Sequence, residues 1–241
     1  MKLTAEEIYT ALKDDFHLNG AEGKLTFNLR DYSIVVEQNN VIGNILEEWL
    51  AKWFDSKGFD NIHNTGQNAP DFWLDPDNKE TAWLEIKSFT KNPNFDIANF
   101  LSYVKEIIEK PYKLHSKYLL IKYKSVNGIV TIEDMWLKNV WEISCPSKQF
   151  PVKVQYKNGV IYNLRPATWY SENTEFPTFK SMEHFLAAIE ITLYRNGGTN
   201  RYAETWLDKV KKSYHDYYGV SLDIPRWYDI KRQYNIEIKD V

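Results

Sequence analysis

The most constraining feature of the sequence is a pair of strand-like runs, residues 71–74 and 81–89, on either side of a polar turn. This pattern predicts an antiparallel hairpin, in which each residue of one strand faces a fixed residue of the other. With the turn centred near Asn78, Asp71 faces Glu85 across the hairpin. A slip of one residue would turn these side chains to opposite faces, so the prediction depends on this register.

Lys87 lies two residues beyond Glu85 and points to the same face, because side chains alternate along a strand. Two carboxylates and one ammonium group therefore converge beside an apolar sheet. Phosphodiester hydrolysis needs a cation that neutralises the transition state and a water that is made hydroxide-like. Carboxylates that hold Mg²⁺ provide both, and a nearby lysine orients or deprotonates the water. We predict a Mg²⁺-dependent nuclease site with Asp71, Glu85 and Lys87 as catalytic residues, the two acids also being metal ligands.

An acid, any residue and a lysine form a common triplet, and the chain repeats it at residues 229–231 and 237–239. Neither repeat follows a Pro-Asp pair and a strand. A second Pro-Asp pair, Pro76-Asp77, lies in the predicted turn itself. The structural alternative for Glu85 and Lys87 is a half-exposed strand with alternating charges.

Helical and strand-like patterns surround the hairpin. Apolar residues at helical spacing over residues 42–54, with Gly58 as a C-cap, predict an amphipathic helix before it. Residues 95–108 predict a helix after it, and residues 118–123 a buried strand. Elsewhere we predict a capped helix from Thr4 to about residue 13, strands at 25–29 and 32–37, hairpins turning near 126–129 and 158–159, and helices at 182–194 and 201–218. The second of these helices ends at Gly219, and Ser181 caps the first.

Pro70-Asp71 followed by Glu85-Ile86-Lys87 resembles the Pro-Asp…(Asp/Glu)-x-Lys nuclease superfamily over about residues 41–124. The resemblance implies an α/β (α+β), restriction-endonuclease-like core, with a central mixed β-sheet flanked by helices in αβββαβ order. It also implies that Ile86 lends a backbone carbonyl to the metal. Many members carry a further catalytic glutamate in a Gly-x-x-x-Glu pattern, which residues 43–47 match through Glu47. The alternative is that Glu47 is simply solvated.

The stretch after Lys87 is similar to type II restriction endonucleases of the EcoRV kind. In those enzymes a loop rich in Gly, Asn and Thr enters the DNA major groove, and residues 195–201 resemble it. Asn amides pair with adenine, and Arg with guanine or phosphate. The implied DNA-binding residues are Arg195, Asn196, Gly198, Thr199, Asn200 and Arg201. A glycine-rich helix connector with solvated arginines is the alternative.

Residues 94–100, 136–138, 141–143 and 163–166 look like the NgoBV/NlaIV family of restriction enzymes. This resemblance implies the palindrome GGNNCC and adds Arg165 to Arg195 and Arg201 as candidate guanine readers. The implied partners are double-stranded DNA, a second copy in a C₂ homodimer, and a cognate DNA methyltransferase that need not touch the enzyme.

The 241 residues suffice for one domain, which we expect over 1–241, with the catalytic core at about 41–124 and a recognition and dimerisation part at about 125–241. Residues 1–100 carry 9 basic and 17 acidic residues, and residues 101–241 carry 21 and 16. This asymmetry suits an acidic metal site and a basic phosphate contact, although on the counts alone a solvated surface of mixed charge explains it better. Cys145 is the only cysteine, and its plain interpretation is a small, half-buried side chain. No apolar run approaches the ~20 residues that span a bilayer, so we expect no membrane association and a cytoplasmic location.

Two other functions stay open on the sequence alone. One is a repair or junction-resolving nuclease that uses the same core and recognises DNA structure. The other is a noncatalytic DNA-binding module in which the acids and the lysine are only surface charges. The histidines show no paired metal spacing, and the chain has no phosphate-binding loop of an NTP-driven motor.

Overall fold

The computed structural model describes residues 1–36, 41–66 and 68–236. The helices are α1 Ala5–Thr10, α2 Ile42–Lys57, α3 Phe100–Glu109, α4 Met182–Arg195, α5 Asn200–Tyr218 and α6 Trp227–Ile230. The chain divides into two compact units, one formed by Met1–Pro93 and His115–Lys138, the other by Asn94–Leu114 and Asn139–Val241. The single domain expected over 1–241 stays a prediction.

The first unit is built on a six-stranded sheet. Its strands are β1 Glu22–Lys24, β4 Ile62–His63, β5 Phe72–Trp73, β6 Trp83–Phe89, β8 Lys117–Val126 and β9 Ile129–Asn139. They lie in the order β1-β9-β8-β6-β5-β4. Strands β6 and β8 are parallel, whereas β1 with β9, β4 with β5 and β5 with β6 are antiparallel. The sheet is therefore mixed, and the sequential order α2, β4, β5, β6, α3, β8 confirms the predicted αβββαβ core.

The hairpin of β5 and β6 has the predicted register. Phe72 pairs with Leu84, and Trp73 pairs with Trp83. Continuing this pairing one residue outward places Asp71 opposite Glu85. The strands are shorter than predicted, because the chain from residue 74 to 82 forms the turn, closed by the bond from the Leu74 N–H to the Ala82 carbonyl, 3.0 Å.

Helix α2 packs its apolar face against this sheet. Leu50 and Phe54 are fully buried, and the Phe54 ring meets the Phe72 ring edge-on at 5.2 Å. The helix ends as predicted at Gly58, whose φ of 67° lies in the left-handed region that glycine adopts without a steric cost. This packing fixes one face of α2 above the strand that follows Asp71.

The helix predicted over residues 95–108 was wrong at its start. Helix α3 begins at Phe100, where the Asn99 side chain accepts a bond from the Ser102 N–H. The preceding strand β7, Ala98–Asn99, pairs antiparallel with β11, Val160–Leu164, in the second unit. Residues 98 and 99 are therefore paired in a strand and do not form part of a longer helix.

The remaining predicted elements are present with small shifts. Thr4 and Glu7 form the predicted capping box, and one π-helical turn, Ala11–Asp15, follows α1. Strands β2 Thr26–Leu29 and β3 Tyr32–Val35 form an exposed hairpin, and residue 37 of the predicted strand lies outside the described residues. Strand β10, Val154–Lys157, pairs with β11. Ser181 caps α4, and Gly219 ends α5.

Two further features bear on the expected environment of the chain. Cys145 is buried, more deeply than the half-buried side chain that was predicted, and burial raises the pKa of its thiol to about 11. In the described part of the chain, no helix combines the length and the apolar character needed to cross a bilayer.

Candidate active site

The hairpin brings the three predicted catalytic side chains together. Asp71 immediately precedes β5, and its Oδ2 accepts a bond from the Ile86 N–H at 2.6 Å. Glu85 is 6% exposed, and its Oε1 accepts a bond from the Lys87 ammonium at 2.9 Å. Glu85, Ile86 and Lys87 are consecutive in β6, so one short segment of this strand carries two of the predicted catalytic side chains and binds the third, Asp71.

Burial and nearby negative charge shift the pKa of Asp71. Burial and then the nearby charge of Glu85 raise the pKa of Asp71 to about 7, although Lys87 and the Ile86 N–H oppose this increase. A smaller contribution comes from Glu47. Such a buried, mutually repelling carboxylate pair is a candidate cation site on physical grounds.

Lys87 partly neutralises this cluster. Burial alone would lower the pKa of Lys87, but the carboxylates of Glu85, Asp71 and Glu47 together raise it. The ammonium group therefore stays charged at neutral pH while remaining partly accessible, with 22% of the side chain exposed. A charged donor at this position suits contact with a phosphate or with an attacking water.

The donor set fits Mg²⁺ better than a softer metal. The described residues contain no cluster of three or more His, Cys, Asp or Glu side chains around one point. A zinc site of four protein ligands is therefore not formed by this part of the chain. Mg²⁺ usually keeps several waters and uses one or two carboxylates together with substrate phosphates. Asp71 and Glu85 provide such a pair.

Glu47 lies on α2 beside this cluster and is not freely solvated. Its Oε1 is 2.9 Å from the Nε2 of His63, and 26% of its side chain is exposed. Sequence reasoning missed His63, because the histidines of the chain show no paired metal spacing. The residues around it, from 60 to 68, are almost all polar, so the sequence contains no signal that would single it out.

The rival acid-Lys patterns lie in other surroundings. The Asp77 side chain is 83% exposed and pairs with Lys2 at the hairpin tip. Asp229 pairs with Arg226 on the surface. Residues 237–239 lie outside the described residues. Among the described candidates, only the set at residues 71–87 joins two acids and a lysine in a buried cluster.

The predicted recognition loop is a short connection between α4 and α5. The Thr199 hydroxyl donates to the carbonyl oxygens of Leu193 and Asn196, at 2.8 and 3.0 Å. The Asn200 amide, with its nitrogen turned toward α4, donates to the carbonyl oxygens of Tyr194 and Asn196. Asn196 is itself 8% exposed. The Thr199 and Asn200 side chains therefore cap the end of α4, and they would have to leave those bonds to reach a base.

The other four loop positions are exposed or half-buried. Arg195 is half-buried, Arg201 is exposed, and neither forms a hydrogen bond or ion pair with any residue in the described ranges. Gly197 and Gly198 have ordinary φ angles, and a Cβ added at either would meet nothing within 4 Å. Neither the local backbone nor the local packing of the described residues therefore requires these two glycines.

Arg165 is held inside the second unit. Its guanidinium pairs with the Asp96 carboxylate and donates to the Asn94 carbonyl oxygen, the latter at 2.6 Å. These contacts join the end of β11 to the segment before β7. An Arg165 that read a guanine would have to exchange this ion pair for the base.

The chain is similar to known proteins over most of its length. The sequence matches the family described as NgoBV restriction endonuclease over residues 2–234. It is 41% identical over 240 residues to the type II restriction enzyme NlaIV of Neisseria lactamica, covering 97% of this chain and 98% of that protein. It is 39% identical over 148 residues to the type II restriction enzyme NgoBV of Neisseria gonorrhoeae, covering 60% and 84% respectively. The solved structure of the NlaIV restriction endonuclease matches with a TM-score of 0.93 at 40% identity, covering 97% of both chains.

Proposed function

The chain belongs to the NgoBV restriction endonuclease family and is a type II restriction endonuclease, and we propose that it cleaves double-stranded DNA at GGNNCC in a Mg²⁺-dependent reaction. The catalytic part of the proposal rests on two hydrogen bonds at β6. The Ile86 N–H donates to Asp71 Oδ2 at 2.6 Å, and the Lys87 ammonium donates to Glu85 Oε1 at 2.9 Å. The target GGNNCC follows from the resemblance of the chain to the NgoBV/NlaIV family.

In the proposed reaction, Asp71 and Glu85 would hold Mg²⁺ together with the backbone carbonyl of Ile86. When bound, Mg²⁺ supplies charge neutralisation at the scissile phosphate and lowers the pKa of water. Lys87, kept charged and oriented by Glu85, contacts the attacking water or a phosphate oxygen. Glu47 adds a fourth charged group at the edge of the cluster and completes the proposed catalytic set.

A plasmid with a single GGNNCC site tests the proposal directly. With Mg²⁺ we expect one linear product, and with EDTA we expect none. The same plasmid with the site altered to GGNNCA is the matched control and is expected to stay intact. Nicks that depend on DNA structure would support a repair or junction-resolving nuclease, and no cleavage with any divalent cation would support a noncatalytic DNA-binding module.

A palindromic target calls for two active sites related by a two-fold axis, one for each strand. We therefore propose a C₂ homodimer that works in the cytoplasm beside a cognate DNA methyltransferase, which protects the same site without contacting the nuclease. Light scattering on the 28.5 kDa chain with cognate DNA is expected to give roughly twice the monomer protein mass. A monomer that nicks one strand per encounter would contradict the dimer.

Arg195 and Arg201 are the proposed guanine readers, because both lie beside the two glycines and neither is held by an ion pair or hydrogen bond within the described residues. Arg195→Ala or Arg201→Ala is expected to cost about 1–3 kcal/mol of binding to cognate DNA and little on random DNA. If the contact is to phosphate instead, both affinities fall and the salt slope shrinks by about 1. Arg226→Ala, an exposed arginine paired with Asp229, is the matched control and is expected to bind like wild type.

Gly198→Val tests the same loop without removing a charge. Since a Cβ at this position meets nothing within 4 Å and the glycine φ angle is ordinary, the variant is expected to have a wild-type melting temperature. Cognate binding is expected to weaken, because the added side chain keeps the backbone from the groove. If both arginine variants and Gly198→Val bound cognate DNA like wild type, another element would have to recognise the DNA. The β10–β11 hairpin with Arg165 would then be the next candidate.

A further inference from the structure

The short strand β4 connects two parts of the proposed active site. His63 faces Phe72 in the pairing of β4 with β5, and the two rings stack at 4.8 Å with an interplanar angle of 15°. Phe72 is fully buried and directly follows Asp71. The imidazole therefore packs against the residue that directly follows the first catalytic acid.

The opposite edge of the imidazole meets Glu47. His63 Nε2 and Glu47 Oε1 are 2.9 Å apart, and only 16% of the histidine side chain is exposed. Because a carboxylate only accepts hydrogen bonds, the Nε2 atom that faces it carries the hydrogen. The bond restrains a glutamate side chain that would otherwise rotate freely at the edge of α2.

The next residue on the chain holds the Pro-Asp segment. The Asn64 N–H donates to the Asp71 carbonyl oxygen at 2.8 Å, and the Asn64 amide donates to the Pro70 carbonyl oxygen at 2.8 Å. Residues 63 and 64 thus restrain Glu47 and the backbone of Asp71 at the same time. The charge of Glu47 reaches the cluster, since it raises the pKa of both Asp71 and Lys87.

We propose that His63 is a positioning residue, which orients Glu47 toward the Asp71, Glu85 and Lys87 cluster through its Nε2–H bond. The inference rests on the proposed function of that cluster. His63 is not a ligand or a proton carrier in this scheme, and it acts only through Glu47. Partners of this kind typically contribute 10- to 100-fold to the affinity or activity of a metal site.

Two substitutions separate the hydrogen bond from ring packing. His63→Gln keeps an N–H donor near the position of Nε2, and His63→Phe keeps the stacked ring without a donor. We expect the cleavage rate constant of His63→Phe to fall about 10- to 100-fold at unchanged DNA affinity. His63→Gln is expected to stay within about threefold of wild type. His215→Phe, an exposed histidine on α5, is the control and is expected to cleave normally. Rescue by Phe rather than Gln, or wild-type rates for both, would overturn the proposal.

If His63 acts only through Glu47, the effects of substituting the two residues are expected not to add. In a Glu47→Ala background, His63→Phe is expected to cause no further loss of rate, because the group that it positions is gone. An additive further loss would contradict the inference.

A measurement without cleavage separates this inference from the proposed function. In the metal-free protein, the ring Nε2–H resonance of His63, assigned by its loss in His63→Gln, is expected to shift in Glu47→Ala. An unshifted resonance would mean that the bond is absent and would overturn the inference. If the bond is present but wild-type protein cleaves no DNA with any divalent cation, the proposed function fails and the inference, which depends on it, fails with it.

Discussion

Asp71→Asn is expected to lower the rate of DNA cleavage by at least about 10³-fold, because a metal ion supplies several kcal/mol of transition-state stabilisation. The side chain is nearly isosteric, and its amide oxygen still accepts the bond from the Ile86 N–H that fixes the Asp71 side chain. Binding of cognate DNA without Mg²⁺ is expected to persist or to strengthen, since one buried negative charge facing the phosphates is removed. Rates and affinities are measured on the same oligonucleotide duplex.

The same variant is expected to be more stable than wild type when the metal is absent. Burial and Glu85 raise the pKa of Asp71 to about 7, so folding favours its protonated form. This contribution is complete below the unfolded pKa near 3.9 and is lost as the pH rises through about 7. In EDTA, Asp71→Asn is therefore expected to melt at a higher temperature than wild type at pH 8, with a smaller difference at pH 5.

Asp77→Asn is the matched control for both effects. Its carboxylate is exposed at the hairpin tip and pairs only at the surface with Lys2, so its removal is expected to change neither cleavage nor melting appreciably. Cleavage by Asp71→Asn at a near wild-type rate would remove Asp71 from the catalytic set. A loss of both activity and stability would instead indicate a structural acid.

The register of the catalytic hairpin was predictable because the information is local. Alternation along residues 81–89 and a turn near Asn78 fix which residues face one another, and the observed pairs Phe72–Leu84 and Trp73–Trp83 follow that rule. Helix α2 and its Gly58 cap were predictable for the same reason. Periodicity and caps are properties of adjacent residues, so a single sequence contains them.

Contacts between distant segments were not predictable in this way. The start of α3 moved to Phe100 because residues 98 and 99 pair with β11, which is far along the chain. His63 escaped notice because β4 has only two residues and its partner Glu47 lies on another element. The polar composition of residues 196–200 suggested base contacts, but Thr199 and Asn200 also bond to the last turn of α4. Composition alone does not separate capping from recognition.

Lys87→Met is expected to reduce cleavage as Asp71→Asn does, but to change stability in the opposite direction. The methionine keeps most of the apolar stem and removes the charge that neutralises Glu85, which is 6% exposed. Breaking one side of a buried ion pair costs about 3–5 kcal/mol, and less here because the lysine is partly accessible. The rate is expected to fall about 10²- to 10⁴-fold, the usual range for a group that moves or orients a proton. Melting in EDTA and single-turnover cleavage provide the two measurements.

Lys2→Met is the matched control, because Lys2 also pairs with two carboxylates, Asp75 and Asp77, but at an exposed position. It is expected to leave both the melting temperature and cleavage close to wild type, because exposed ion pairs contribute little to stability. The double variant Glu85→Gln/Lys87→Met tests the stability role of Lys87: since the buried Glu85 charge that Lys87 neutralises is removed as well, stability is expected to recover relative to Lys87→Met. If Lys87→Met lost only stability and cleaved normally once folded, Lys87 would be a structural counter-ion of Glu85. The attacking water would then have to be oriented by another group.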